Sequence, residues 1–357
     1  MAKPLTHRIV SKLARLHDFY PRNLRLSLSR EPTIQVLVED DSQFNFAFFH
    51  WLEATHPAIY RQLRFTLSDS RWAQRAGSDA LLLPWLRDPV RERDLALYQR
   101  VVTIEQAYAA VGCGIVNPVR VLSNARKKVA LDAARSLGIR CADIVLCGPE
   151  TAFAALEQRL GLPFIVRDDA THARPMRLVR CQSDFDGIDW QGFRQPAACE
   201  YIDTRGSDGC FRKYRYVLVG ERGVPHHLIV SNDWCIRAQS RLHHEEYVAE
   251  EARYLQLDAE PHHRVLNRLR KKLELDLVAF DYGLDPQGQL VLWEPNPFPY
   301  LWDQRKDQVS RLQGQRAQAY RIFQLMLELC LQKGGLRIEP RTGQLQRLDG
   351  EGQLERA

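Results

Sequence analysis

The sequence has no long hydrophobic run, and its first residues contain no short apolar segment either. No run approaches the ~18 consecutive apolar residues that a membrane-spanning helix requires. The apolar segment of a secretory signal is also missing from the beginning of the chain. These two absences predict a protein without a membrane span and with a cytoplasmic location.

Metal-binding spacings of cysteine and histidine are also missing. None of the eight cysteines falls in a Cys-x-x-Cys or Cys/His pattern, as expected for reduced structural thiols. Cys199 and Cys235 have no neighbouring base in the sequence, which argues against a nucleophilic role. The histidine pairs at 243–244 and 262–263 lack a suitably spaced third ligand, and adjacent histidines on a helix point apart. A zinc site is therefore not expected.

Repeats and low-complexity segments are absent as well. With 357 residues, 45% hydrophobic and 26% charged, the composition is that of a globular protein with two or three domains. The net charge of +6 comes from residues 1–30, which hold seven Lys or Arg and one acid. Ile9, Leu13 and Leu16 in this segment have helical spacing, so we interpret it as a docked amphipathic helix. A nucleic-acid partner is not expected.

The first half of the chain alternates between apolar strands and helices. This alternation predicts a parallel α/β sheet, which we place in a Rossmann-like domain at residues 31–118. The predicted strands are 33–41, 65–67, 80–86 and 115–118, and the predicted helices are 44–63 and 92–111.

The remaining chain is predicted to form two α+β domains, at residues 119–200 and 201–333. The polar residues after Gly334 are interpreted as a tail that covers 334–357. The predicted strands are 142–146, 162–167, 198–203, 211–220, 224–230, 275–282 and 290–293; helices are predicted at 123–137, from Glu150, within 243–274 and at 307–332.

A hairpin near the end of the second half carries the most informative polar residues. Glu294 and Asn296 follow its second strand two residues apart, and therefore point to the same side. Asp281 lies near the end of its first strand, and the 285–288 turn brings all three together. Two carboxylates and an amide oxygen suit a hard cation such as Mg²⁺. The alternative interpretation is a capped hairpin with two exposed acids.

The order of several short motifs resembles that of the ATP-grasp superfamily, which includes glutathione synthetase, D-alanine–D-alanine ligase and enzymes that add glutamate to ribosomal protein tails. The similarity covers about residues 33–330. Its motifs are Leu83-Pro-Trp-Leu-Arg-Asp-Pro89, Glu105 to Gly112 with Val116-Asn-Pro118, Ala125-Arg-Lys-Lys128, Leu162-Pro-Phe-Ile-Val-Arg167, Glu200-Tyr-Ile202, Tyr214 to Gly220, and Asp281 with Glu294-x-Asn296.

This resemblance implies an ATP-grasp fold and an ATP- and Mg²⁺-dependent ligase that joins a carboxylate to an amine through an acyl phosphate. The acid and amine substrates are small molecules or peptides, and a homodimer is left open. The implied roles are Lys127, Arg167 and Arg215 on the triphosphate, Glu200, Tyr201 and Ile202 on adenine, Asp203 on ribose, Asp281, Glu294 and Asn296 on magnesium, and Arg87 with Arg215 on the substrate carboxylate.

Three departures from the superfamily pattern leave other functions open. One is that no acid is evident for the ribose hydroxyls, for which Asp203 is the candidate. Arg167 stands where the superfamily has a lysine, and these two cations are not interchangeable. The loop at 168–176 has no glycine to bring its backbone onto a phosphate, so His172 and Arg174 are the alternative contacts. A nucleotide sensor or scaffold, or a phosphotransferase, remains possible with such a site.

Two further segments are ambiguous in the sequence. His226 and His227 lie on a predicted strand, where one is expected to face the core or to act in catalysis. The 231–234 segment is either a plain turn or a substrate contact. Trp293 and Trp302 flank the hairpin motif and are interpreted as core residues.

Overall fold

The computed structural model describes residues 26, 31–39, 46–70, 73, 79–169, 176–257, 260–301 and 313–348. The chain divides into two compact units, which are residues 1–120, 300–308 and 319–357, and residues 121–299 and 309–318. The amphipathic helix predicted within residues 1–30, the loop side chains His172 and Arg174, and Trp302 lie outside the described residues.

A four-stranded parallel sheet forms the centre of the first unit, and its strand order is β2-β1-β3-β4. All six residues of β1 are buried, as expected for a parallel strand that is covered on both faces. The predicted parallel α/β arrangement is therefore confirmed. The elements are β1 (Thr33–Val38), α1 (Ala47–Thr55), α2 (Pro57–Arg61), β2 (Leu63–Leu67), β3 (Asp79–Trp85), α3 (Val90–Arg93), α4 (Leu95–Ala110) and β4 (Gly114–Ile115).

Three predicted helices are interrupted. The helix expected over 44–63 is divided at His56 into α1 and α2. The helix expected over 92–111 is interrupted at Asp94, which is extended and whose carboxylate accepts from Leu97 N at 2.9 Å. A new helix therefore begins at Leu95, because an aspartate N-cap satisfies a free N–H group of the first turn. The helix expected over 123–137 is interrupted at Arg126, whose ψ is 142°. The elements there are α5 (Val119–Leu122), a 3₁₀ turn (Ser123–Ala125) and α6 (Lys127–Arg135).

The second unit contains a four-stranded antiparallel sheet of order β6-β9-β7-β8. Residues of β7 alternate between buried and half-buried, so one face of the sheet packs on a core that includes Phe153, Phe164 and Phe185. Strand β9 ends at Glu200, whereas the strand predicted from sequence reached residue 203. Tyr201 therefore lies after the strand. The elements are β6 (Ile144–Leu146), α7 (Phe153–Leu160), β7 (Phe164–Asp168), β8 (Met176–Val179), α8 (Gln182–Asp186), a 3₁₀ turn (Trp190–Gly192) and β9 (Pro196–Glu200).

A five-stranded sheet of order β11-β10-β12-β13-β5 completes the second unit. Its strands are antiparallel except for β5, which lies parallel to β13. The predicted hairpin is β12 with β13, and its turn is closed by Gly288 at a φ of 75°. The elements are β5 (Arg140–Cys141), β10 (Phe211–Val219), β11 (Arg222–Ser231), a 3₁₀ turn (Ala238–Ser240), α9 (Glu245–Leu255), α10 (His263–Lys272), β12 (Leu277–Leu284) and β13 (Leu290–Asn296).

The residues after Gly334 form an ordered hairpin within the segment that the sequence suggested as a polar tail. Helix α11 (Gln313–Gly334) is followed by β14 (Leu336–Ile338) and β15 (Leu345–Arg347), which pair antiparallel. Leu336 and Leu345 are buried. Gln62 accepts from Leu345 N at 2.6 Å, which attaches the hairpin to the first unit. Two buried leucines in a polar segment were too weak a signal to predict it.

Candidate active site

Asp281 and Glu294 lie directly opposite each other on β12 and β13. Directly opposed residues of antiparallel strands carry their side chains on the same face. Asn296 follows two residues later on β13 and is buried, and its Nδ2 has no hydrogen-bond partner among the described residues. The structure thus places the three predicted metal ligands on one short stretch of the hairpin.

Two cations of β10 contact the carboxylate of Asp281. Arg215 donates from Nε to Oδ1 at 2.6 Å and from Nη2 to Oδ2 at 2.7 Å, which is a bidentate pair. Lys213 lies two residues earlier on the same face, and its Nζ is 3.9 Å from Oδ2. Arg215 was predicted for this site, whereas Lys213 was missed. Period-2 alternation from Arg215 along β10 would have found it.

Two further cations contact the carboxylate of Glu294. Arg167 Nη2 donates to Oε2 at 3.0 Å, and Lys127 Nζ lies 3.5 Å from the same oxygen. Lys127 is only 3% exposed, and burial together with the charge of Arg167 lowers the pKa of its ammonium group, while Glu294 raises it. The predicted cations Lys127, Arg167 and Arg215 therefore converge on one pair of carboxylates from three separate elements.

Asp169 ties the start of α6 to the end of β7 and so positions Lys127. Its carbonyl accepts from Lys127 N at 3.2 Å, and its carboxylate accepts from Lys128 N at 2.7 Å. The same carboxylate pairs with Arg126 at 2.7 Å. A buried carboxylate at a helix N-terminus satisfies free N–H groups there, so this aspartate has a clear structural role.

A cavity of about 390 Å³ adjoins these charged residues within the second unit. Asp281, Glu294, Arg167 and Lys213 line it on the polar side. The rest of the lining comes from α6, both sheets of the second unit, the segment after β9 and the segment after β11. It includes Leu131, Ala142, Ile165, Met176, Cys199, Glu200, Tyr201, Ile202, Thr204, Phe211, Trp234, Cys235, Ile236, Val291, Leu292 and Trp293. A cleft that combines apolar side chains with a few convergent charges is typical of a small-molecule site.

The predicted adenine residues lie at this cavity, but Asp203 does not line it. Glu200, Tyr201 and Ile202 are part of the lining. Glu200 N donates to Asp143 O at 2.9 Å, and its carboxylate accepts from Asp143 N at 3.1 Å. The Asp203 carboxylate instead accepts from Arg205 Nε at 2.9 and 3.0 Å. The structure therefore offers no contact that supports the predicted ribose role of Asp203.

The segment after β11 also contributes to the cavity. Its 231–234 part was one of the alternatives for a substrate contact, whereas Arg237 was not predicted. Trp234, Cys235 and Arg237 line the cavity, and no described residue pairs with the Arg237 guanidinium. Trp234 also packs edge-on against Tyr201 at 6.4 Å. Trp234 of the 231–234 segment therefore lies at the cavity, and its contact with a substrate stays a prediction. The chemistry of this segment could not be assigned from sequence, because the fold decides which of its side chains meet the cavity.

Arg87, the other predicted substrate residue, belongs to the first unit. Its N–H donates to Glu39 Oε1 at 2.9 Å, and its carbonyl accepts from Arg93 Nη2 at 3.0 Å. These contacts involve the backbone of Arg87 just after β3. The predicted contact between the Arg87 guanidinium and a substrate stays a prediction.

Among the described residues, no group of three or more His, Cys, Asp or Glu is placed to hold a metal ion. The hairpin triad is not such a group, because its third member is an asparagine. No helix among the same residues is long and apolar enough to cross a membrane.

No protein-family profile and no curated protein matches the sequence. Solved structures do match. The macrocyclase MdnC from Microcystis aeruginosa MRC, bound with precursor peptide MdnA, has a TM-score of 0.55 and 15% identity over 84% of this chain and 100% of its own. D-alanine–D-alanine ligase from Bacillus anthracis has a TM-score of 0.56 and 12% identity over 85% and 97%.

A third structure is similar to the same extent. The RimK domain protein ATP-grasp from Sphaerobacter thermophilus DSM 20745 has a TM-score of 0.52 and 16% identity over 83% of this chain and 99% of its own. The ATP-grasp ligase PsnB, complexed with a minimal precursor, matches with a TM-score of 0.52 at 13% identity. Identities this low establish the architecture alone, and the resemblance seen in the sequence is thereby confirmed at that level: the chain has the ATP-grasp fold.

Proposed function

We propose that the protein is an ATP- and Mg²⁺-dependent ligase that joins a carboxylate to an amine through an acyl phosphate. The observation that carries this proposal is the Asp281–Glu294 pair, which lines the cavity and contacts a cation from each of three elements. ATP has the matching parts, because its base needs an apolar slot and its triphosphate needs cations.

Asp281, Glu294 and Asn296 fit a magnesium ion by their chemistry. Carboxylate and amide oxygens are the ligands that Mg²⁺ prefers, and the unpartnered Asn296 Nδ2 leaves that amide uncommitted to any described neighbour. When bound, the ion would offset the negative charge of the phosphates.

The chain's own residues would act by positioning and charge. Lys127, Arg167 and Arg215 would hold the triphosphate, and Glu200 to Ile202 would hold adenine. A substrate carboxylate oxygen then attacks the γ-phosphorus and ADP leaves. An amine attacks the acyl carbon, and inorganic phosphate leaves with one oxygen of the former carboxylate while the amine loses a proton. No protein nucleophile is needed, so catalysis rests on orientation and electrostatics.

The similar structures suggest which substrates to test first. Among the similar structures, MdnC is bound with a precursor peptide, PsnB is complexed with a precursor peptide, and another is a D-alanine–D-alanine ligase. We therefore propose amino acids and acidic peptides as the first acids and amines to try.

The deciding experiment measures ADP release against pools of amino acids, peptides and small acids. Once a pool is active, ¹⁸O-labelled acid is used, and label in inorganic phosphate is the expected result. Release of AMP and pyrophosphate instead would contradict the acyl phosphate. A phosphorylated product without an amine requirement would favour a phosphotransferase.

A nucleotide sensor or scaffold is the second candidate function. The observation that favours it is the absence of glycine between residues 168 and 176, which limits backbone contacts to a phosphate. Calorimetric ATP binding without turnover in the presence of any acid or amine would establish this second function.

A further inference from the structure

The cavity carboxylates belong to a row of charged and polar residues that crosses four strands. Register pairs Glu294 with Asp281, Asp281 with Arg215, and Arg215 with His227. Because directly paired residues share a face of the sheet, the row ends at His227 on the edge strand β11. The first three members were predicted for the site, whereas the sequence left a core position and a catalytic role open for His226 and His227.

A β-bulge brings the adjacent His226 beside His227. Arg215 pairs with His227 and Tyr216 pairs with Pro225, so His226 is the extra residue. The two Nδ1 atoms lie 2.9 Å apart. Only one proton can occupy a hydrogen bond between two ring nitrogens, so at least one imidazole is neutral. Burial, followed by the charges of Arg215 and His226, lowers the pKa of His227 well below its usual range, so His227 is the neutral ring.

The other nitrogen of this neutral ring has no partner. His227 is 9% exposed, and its Nε2 makes no hydrogen bond to any described residue. A buried polar atom without a partner destabilises the fold, so such atoms usually serve a water or a ligand. The neighbouring charges that reach His227 are mostly positive, from Arg215, Lys213 and Arg241. This surrounding favours a negatively charged partner.

Arg215 offers a second donor beside His227. Its Nε and Nη2 bind Asp281, and no described residue accepts from Nη1. A guanidinium has five N–H donors in a fixed plane, so this fork leaves one edge for another acceptor. An oxyanion that contacts Nη1 of Arg215 and Nε2 of His227 would satisfy both groups.

We propose that His227, with Arg215, forms an oxyanion-binding subsite that holds the phosphoryl group transferred from ATP. His226 donates its Nδ1 proton to His227 Nδ1, which leaves the single proton of His227 on Nε2 as the donor to the oxyanion. The same chemistry could bind the carboxylate of the acid substrate, and the test separates these two sources. The inference rests on the proposed function, because it requires ATP in the adjoining cavity.

The test compares His227→Met with His227→Gln by calorimetry, with Mg²⁺ and either AMPPNP or ADP. Met removes the donor, whereas Gln retains an N–H at a similar reach. A hydrogen bond to a charged group corresponds to about a 10- to 100-fold change in affinity. We expect His227→Met to weaken AMPPNP by that factor without weakening ADP, and His227→Gln to restore most of the loss. Leu228→Met, on the opposite face of the same strand, is the packing control, since Leu-to-Met exchange is well tolerated.

The two sources and the two hypotheses give different results. An unchanged AMPPNP-to-ADP ratio, with a 10- to 100-fold higher KM for the acid in the ADP-release assay, assigns the oxyanion to the carboxylate. If neither quantity changes in folded His227→Met, or if Gln fails to restore binding, the subsite is overturned. Nitrogen-15 spectra that show an unprotonated Nε2 of His227 also overturn it. Wild-type protein that binds neither nucleotide contradicts the proposed function itself.

Discussion

Glu294 contacts two cations of different character, the buried ammonium group of Lys127 and the guanidinium of Arg167. Lys127 is an ammonium with little access to water, so it depends on nearby negative charge to remain protonated. A triphosphate would supply that charge to both cations. If Glu294 binds the proposed metal ion and Lys127 the proposed phosphate, this one carboxylate on β13 would connect metal binding with the protonation of the lysine.

Glu294→Gln should abolish nucleotide turnover. The amide keeps the size of the side chain but removes the charge that a metal ion requires. Loss of an outer-shell partner of a metal costs about 10- to 100-fold in activity, and loss of a direct ligand should exceed about 100-fold. ADP release and the thermal midpoint are the measurements, and Glu221→Gln, at an exposed pair with Lys271, is the control. Full turnover in Glu294→Gln would exclude the proposed metal site.

Arg167→Ala should weaken ATP binding by on the order of 1–3 kcal/mol, the range for charge-assisted hydrogen bonds. Calorimetry with AMPPNP measures the change directly. The control is Arg177→Ala, because Arg177 lies exposed on the neighbouring strand β8 and its Nη1 contacts only the adjacent carbonyl of Met176 among the hydrogen bonds described. Equal affinities of the two variants would remove Arg167 from the phosphate contacts.

The hairpin motif was predictable from sequence because both its strands and its turn are local. Asp281 and Glu294 face each other across a short connection, so alternation and turn chemistry alone could place them. His227 was not predictable in the same way. Its position beside Arg215 depends on the pairing of β10 with β11 and on a bulge of one residue, which no local pattern specifies.

Among the secondary-structure elements, the C-terminal hairpin of β14 and β15 contributes buried side chains to the core of the first unit. Leu345 is 2% exposed, and Leu348 is 47% exposed. Leu345→Ala should lower the free energy of unfolding by about 2–5 kcal/mol, as expected for a buried leucine, whereas Leu348→Ala should have little effect. Denaturant titration followed by tryptophan fluorescence compares the two variants. Equal midpoints would indicate that the segment behaves as the tail predicted from sequence.

Glu105 links α4 to the start of α5. Its Oε1 accepts from Val119 N at 2.6 Å, and burial raises the pKa of its carboxyl group to about 7 against the smaller opposing effects of Val119 N–H and Arg120. Between about pH 4.5 and 7 the folded chain therefore binds more protons at this position than the unfolded chain. This group's contribution to stability falls as pH rises through that window.

Glu105→Gln should remove that pH dependence, because the amide accepts from Val119 N without a charge. Relative to wild type, the variant should gain stability at pH 8 and show little gain at pH 4, at about 1.4 kcal/mol for each pKa unit. Urea midpoints at both pH values measure the difference. An identical difference at pH 4 and pH 8 would contradict the raised pKa.

At the scale of the whole molecule, every residue that lines the cavity belongs to the second unit. Nucleotide should therefore stabilise that unit directly, by about 2.7 kcal/mol at a ligand concentration 100 times Kd. Hydrogen exchange with AMPPNP and Mg²⁺ should show new protection in β7, β10, β12 and β13. ADP with EDTA is the matched control. Protection that is confined to β1–β3 would place the nucleotide elsewhere.

The structure contains two ion pairs at the cavity, Arg215 with Asp281 and Arg167 with Glu294. In the proposed complex, the two carboxylates would bind Mg²⁺ and the two arginines would bind the triphosphate. Binding of magnesium and nucleotide together would exchange the partners of both ion pairs, as two salts do in a double displacement. Mg²⁺ alone would leave the two arginines without a counter-charge, and the triphosphate alone would leave the two carboxylates without one. Magnesium and nucleotide should accordingly increase each other's affinity by the same factor, so that each acts as the counter-ion that admits the other.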